Sequence, residues 1–373
     1  MVTINTQASD LSILSIEKSL LEAVSEASKK ASQLGRGILV SFSQRVKPFD
    51  AIHILRTLQH YRTEEYFFWE QPAKHTAIVG SGITESIQTQ GEERFTSAHV
   101  IWRRLQEHAI MVTPPDEPND ELSSPLLFGG FSFDTHTPHT SLWEGFPDGL
   151  LILPQLLLRQ DVHHAICSIN AIIKPEDDVK RCAKTMTRRL QQLYVLLEQE
   201  PVENRHIEDT TSTQLTFQNV RPADDWKALI ARTTRQIQHG VYEKVVLARA
   251  VNATVKNGTI DVSNVLTQLK QNYANASIFA LQRGERCFVG ATPEQLVSIQ
   301  GGRFQTMALA GSAPRGPMKR KISTSGMNCW RVEKIRVNTI SSLPASNRSS
   351  ISSAGIFGFL RSHISLNSRM SNI

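Results

Sequence analysis

Cysteine is scarce in this chain of 373 residues, with four scattered at Cys167, Cys182, Cys287 and Cys329. There is no CxxC pair and no histidine cluster at ligand spacing, which argues against a disulfide framework and against structural zinc. A reducing, cytoplasmic setting is the expectation. Also missing is any apolar run approaching the roughly 18 residues that span a bilayer. The N-terminus, MVTINTQASD, lacks the basic-then-apolar layout of a signal peptide. At 40% apolar and 20% charged, the composition is neither disordered nor collagen-like. The length suffices for one large core or two moderate ones. Acidic residues fall short of basic ones, 35 against 41, for a net charge of +6. On its face that surplus invites a nucleic-acid or anionic-membrane partner.

The location of the charge removes the invitation. Residues 317–373 hold nine basic residues and one acidic residue, Glu333, whereas residues 1–316 carry 32 basic against 34 acidic. The same tail has thirteen Ser and sustains neither a helical nor a strand period, and it contains no RGG, RNP or finger pattern.

Upstream of the tail the chain is patterned. Leu20, Leu21, Val24, Ala27 and Ala31 recur at i, i+3, i+4 spacing ahead of Gly35, predicting an amphipathic helix over 16–33. A strand is expected at Ile38–Phe42, a helix from Phe49 to His60, strands at Tyr66–Trp69 and Thr76–Val79, and a helix over Ser97–Glu107. Pro114–Ser124 reads as a loop, and Leu126–Phe133 as a strand pair broken at Gly129-Gly130. Strands follow at Gly149–Leu158 and His164–Ile173, then a helix over Asp177–Glu198. Residues 201–222, polar and holding Pro201 and Pro222, read as a connector between an N-terminal lobe (1–200) and a second lobe (223–316). The second lobe is expected to hold helices over Ala223–His239 and Val262–Asn272, with strands at Lys244–Ala250, Ser277–Gln282, Cys287–Ala291, Gln295–Ile299 and Arg303–Ala308. Tight turns between the last four predict antiparallel pairing and an α+β fold.

Three features suggest chemistry. Lys244 opens the apolar strand KVVLARA, so its ammonium either escapes to solvent or sits in a cleft where desolvation makes it usable as a base. Glu294, in GATPEQ, is placed at a strand end by a Pro-containing turn, either solvated or facing a site. Gly311-Ser312 either presents backbone N–H groups to a carboxylate or is a simple turn.

Together these segments resemble the chorismate-utilising enzymes, the family of isochorismate synthase, salicylate synthase and anthranilate synthase component I. The resemblance is carried by Lys244–Arg249 (KVVLAR), Phe288–Glu294 (FVGATPE) and Leu309–Ser312 (LAGS), in family order. In the first half, Phe68–Pro72 (FWEQP) and Phe128–Asp134 (FGGFSFD) resemble isochorismate synthases of the menaquinone branch. The resemblance covers about residues 35–316 and implies a two-lobed α+β fold of antiparallel sheets flanked by helices. At the Lys244 position, isochorismate and salicylate synthases carry Lys, whereas anthranilate synthases have Gln. Aminodeoxychorismate synthases place a nucleophilic Lys where this chain has Ala310. The implied reaction is therefore addition of water to chorismate, with Lys244 as general base, Glu294 as general acid, and Ala310, Gly311 and Ser312 lining the substrate. The resemblance further implies Mg²⁺ as cofactor, a monomer, and no nucleic-acid or membrane partner.

The family's magnesium ligands are expected downstream of LAGS, where the pattern stops at about Gly316. Met327-Asn328-Cys329-Trp330 is necessarily encoded ATG-AAY-TGY-TGG, which from the third base reads Glu-Leu-Leu. The family has an ELLASEKxxxEH-like helix here. In the same shifted frame, the codons of Val337-Asn338-Thr339 permit Glu-His at the family's spacing, although the Glu before Lys is not reproduced. A frameshift near Pro317 is expected to have replaced the end of the domain with a disordered, out-of-frame tail, leaving no metal ligands and an inactive chain. The alternatives are a salicylate synthase and, from another class, a nucleic-acid-binding protein with a basic tail.

Overall fold

The first apolar strand read from the sequence lies inside a nine-stranded sheet. The structure, a computed structural model, describes residues 6–60, 65–113, 121–136, 140–198, 215–256, 258–300 and 303–306. These form two compact units, one built from the described residues up to 198 together with those from Leu266 to 306, the other from those between 215 and Val265.

In chain order, the first unit contains α1 (Thr6–Leu34), β1 (Ile38–Val46), α2 (Ala51–His60), β2 (Tyr66–Gln71), β3 (Thr76–Thr89), α3 (Arg94–Gln106), β4 (Ile110–Val112), β5 (Phe128–Phe131), β6 (Gly149–Gln160), β7 (Ala165–Ile173) and α4 (Val179–Glu198). The second unit holds β8 (Leu215–Asn219), α5 (Ala223–Gln238) and β9 (Val251–Val255), and α6 (Val262–Asn272) begins in it. The chain then returns to the first unit with β10 (Ser277–Arg283), β11 (Arg286–Thr292), β12 (Ser298–Gln300) and β13 (Arg303–Gln305).

The large sheet runs β11-β10-β2-β3-β6-β7-β1-β4, with β5 also on β6. Every pairing in it is antiparallel except β1 with β4. Helix α1 buries Leu20, Val24, Ala27 and Ala31 completely against α4 and β1. Three alanines on that stripe (Ala23, Ala27 and Ala31) let the helices approach closely. Helix α4 answers with Met186, Leu190 and Leu193, all buried. The fold is the α+β class expected.

Three expectations are corrected. The strands at 277–292 join the sheet of the first unit rather than a separate second lobe: β10 pairs with β2, placing Ile278 opposite Glu70 and Leu281 opposite Phe67. Burial of Ile278, Ala280 and Leu281 drives this, and without β10 the apolar strand β2 would be an open edge. No strand forms over Lys244–Ala250, where Val246 is 80% exposed. Alternating apolar residues specify a strand only if a neighbour supplies hydrogen bonds and a face to bury. Among the described residues no such neighbour pairs with this stretch, and β9, one step further along, pairs with β8 instead. Strand β5 runs through Gly129-Gly130 rather than breaking there. The tail 317–373 and most of the 201–222 connector lie outside the described residues.

A proline inside the sheet is accommodated by a bulge. Pro154 lies mid-way along β6 and cannot donate to β3, and the β3 register shifts opposite it between Ile83 and Glu85. Asn170 Nδ2 donates to the Pro154 carbonyl at 2.8 Å, and the Thr84 hydroxyl sits 2.9 Å from the Asn170 carbonyl and 3.2 Å from that of Pro154. Gly80 leaves room for the proline ring: a Cβ there would lie 3.0 Å from Pro154 Cγ. Thus Gly80 serves strand packing.

Candidate active site

Three of the motifs meet in one sheet. FWEQP forms most of β2, β10 lies beside it, and FVGAT of the FVGATPE segment forms most of β11. One face of the hairpin is aromatic: Phe288 lies 5.3 Å from Phe279 and 5.5 Å from Trp143, centroid to centroid. Gly290 is opposite Phe279, and a Cβ on it would stand 2.7 Å from Phe279 Cζ. The glycine of FVGATPE thus makes room for a ring on the neighbouring strand. Gly290→Ala is expected to cost about 1–2 kcal/mol through overpacking, read as a lowered midpoint in thermal denaturation, with Phe279→Leu in the same chain recovering the loss.

The acidic residue of FWEQP is fixed by a partner 200 positions away in sequence. Glu70, with its side chain 9% exposed, accepts from Lys270 Nζ of α6 at 2.6 Å, while its other oxygen is buried without a partner. Gln71 Nε2 donates to Ser277 Oγ at 3.0 Å, and the Ala73 amide donates to the Ala274 carbonyl at 3.1 Å. These contacts fasten α6 and β10 to β2. No sequence signal flagged Glu70 and Lys270 as a pair, because neither spacing nor periodicity links such distant positions. Lys270→Ala leaves the Glu70 charge buried and unpaired and is expected to lower stability by about 2–3 kcal/mol. Urea denaturation should show the double variant Glu70→Gln/Lys270→Ala regaining at least half of it.

FGGFSFD is likewise held by the fold. Ser132 donates through its amide to the Asp148 carbonyl at 2.6 Å, and Asp148 Oδ2 accepts from the Gly91 amide at 3.2 Å. The buried Arg94 donates to the Gly91 and Ser132 carbonyls at 3.0 and 3.2 Å. Gly129 has φ +157°, and a Cβ there would meet the Leu150 carbonyl oxygen, so only glycine lets β5 lie this close to β6.

Glu294 lies in the turn between β11 and β12, exposed, its amide donating to Thr292 Oγ1 at 3.2 Å. This is the strand-end position expected for it. Lys244 is exposed in the second unit, within the stretch that forms no strand. The candidate base and candidate acid therefore belong to different units. Ala310, Gly311 and Ser312 lie outside the described residues.

Among the described residues, no group of three or more His, Cys, Asp or Glu is placed to hold a metal ion. They do not furnish the expected Mg²⁺ site. Cys182 and Cys287 are free thiols, and burial pushes both up from their ordinary values, which disfavours the nucleophilic thiolate. No helix among the described residues is long and apolar enough to cross a membrane.

A family model described as "Chorismate binding enzyme" matches residues 23–336. The chain belongs to the chorismate-binding enzymes. The match runs past Gly316, where the sequence pattern was expected to stop. Isochorismate synthase MenF of Bacillus subtilis is 27% identical over 324 residues, covering 86% of this chain and 67% of that one. The salicylate biosynthesis isochorismate synthase of Pseudomonas aeruginosa is 29% identical over 287 residues, covering 77% and 56%. The solved structure of MenF from Escherichia coli, the menaquinone-specific isochorismate synthase, superposes with a TM-score of 0.55 at 21% identity, covering 83% of this chain and 63% of that one. The chain thus spans between about half and two thirds of the length of these family members. The last of them shares the fold.

Proposed function

We propose that this chain carries the catalytic sequence of an isochorismate synthase acting on chorismate in the cytoplasm as a monomer. Lys244 takes a proton from water as its oxygen forms a bond to ring C2, and Glu294 delivers a proton to the hydroxyl leaving C4. One water enters and one leaves. The observation that carries this reading is the identity of residue 244, a lysine where the ammonia-using members have glutamine. Two curated relatives, from Bacillus subtilis and Pseudomonas aeruginosa, are isochorismate synthases by name. Mg²⁺ would neutralise the carboxylates of the substrate, and we assign its ligands to the family's C-terminal segment.

We further propose that residues 317–373 are read out of frame. The encoding of Met327–Trp330, with Glu-Leu-Leu in the shifted frame, supports this, as does the second unit: Phe217, Val241, Val246 and Val251 are all exposed there, and of α5 only Thr233 is buried. Sequencing the gene tests the frameshift directly. The shifted frame is expected to read ELLA and then EH, and a gene with neither refutes it. Product analysis of the frame-restored protein tests the activity: isochorismate is expected, whereas salicylate with pyruvate would assign the salicylate synthase reaction instead.

A further inference from the structure

A cavity of about 720 Å³ opens in the first unit between the β3 bulge, β7 and the first turns of α4. It contains neither Lys244 nor Glu294. Two half-buried charges of opposite sign line it without neutralising one another. Glu85 follows the bulge, and among the described residues its carboxylate accepts only from the neighbouring Ser86 amide, at 3.3 Å. Arg189 faces the cavity from α4 and has no carboxylate within ion-pair distance among the described residues. Of the other acids in the lining, Asp177 Oδ2 accepts from the Lys174 amide and Asp178 Oδ1 from the Arg181 amide, both at 2.7 Å, and Glu176 is exposed to solvent. In the wall, the fully buried Asn170 keeps its Oδ1 unpaired.

Leaving two such charges apart and partly desolvated is costly unless something spans them. The bulge is what turns Glu85 toward this cavity, since a register shift re-aims the side chains that follow it. Ile172 and Met186 add an apolar surface beside the charges. We propose that this cavity binds a small zwitterion, its ammonium on Glu85, its carboxylate on Arg189, and an apolar side chain against Ile172 and Met186. The chemical class is that of the free α-amino acids.

The test is isothermal titration of the 373-residue chain with each of the twenty L-amino acids, alongside the matched deaminated acids and decarboxylated amines. At least one apolar amino acid is expected to bind, and its acid and amine counterparts to bind about 10- to 100-fold more weakly, the worth of one charge-assisted contact. Glu85→Gln and Arg189→Gln should each weaken it by a similar factor, with circular dichroism verifying the fold. Glu85→Asp and Arg189→Lys, which keep both charges, should fall between the parent and the neutral variants. Absence of binding by every amino acid overturns the proposal. So does a deaminated acid binding as tightly as its parent amino acid, or an affinity unchanged across all the variants.

Discussion

Inserting one nucleotide ahead of the Pro317 codon is expected to turn an inactive polypeptide into one that converts chorismate, with the 373-residue chain giving no turnover above background. The reason is structural as much as chemical. A general base works in a closed cleft that excludes bulk water, and Lys244 is exposed on a stretch with no strand partner among the described residues. The restored frame supplies the segment that we propose to pair with KVVLARA and to hold the metal. In that background Lys244→Ala and Glu294→Gln should each lower kcat by about 10²- to 10⁴-fold, the usual worth of one acid–base group. A coupled assay that consumes isochorismate reads both. Turnover by the 373-residue chain equal to that of the restored protein would remove the frameshift argument. Restored activity insensitive to Lys244→Ala would remove the assigned base.

What the sequence alone revealed follows the reach of each physical signal. Helix α6 begins and ends at the residues expected, because Asp261 caps it, with Oδ1 accepting from the Ser263 amide at 2.8 Å, and local capping is written locally. Strand β3 was expected to end at Val79 yet runs to Thr89, because the room that Gly80 leaves for Pro154 and the bulge opposite that proline are set by β6, seventy residues away. The merging of β10 and β11 with the N-terminal sheet rests on pairing over about two hundred residues, which no window of sequence can display. Among the candidate site residues, the strand-end placement of Glu294 was legible because Pro293 and the flanking strands fix its turn. Lys244 was legible as a residue of the family pattern, but the strand around it was not, since apolar alternation states a need for a partner without supplying one.

The largest stability effect is expected at the seam between the two halves of the sequence. Phe67 is fully buried on β2, opposite Leu281 of β10, and packs in one cluster with Leu150 and Ile152 while its ring lies 5.8 Å from that of Phe128. Phe67→Ala removes a side chain from a site walled by paired strands, which cannot collapse to refill the space. The cost should be about 3–5 kcal/mol, a large part of the 5–15 kcal/mol typical of a folded domain. Phe133, 75% exposed on the same first unit, offers the contrast, and Phe133→Ala should change stability by less than about 0.5 kcal/mol. Urea denaturation followed by tryptophan fluorescence reports on the seam itself, because Trp69 stands opposite Phe279 in the β2–β10 pairing. If Phe67→Ala proved as mild as Phe133→Ala, β10 would not be held to β2 by this core. The burial that unites FWEQP and FVGATPE in one sheet would then need another source.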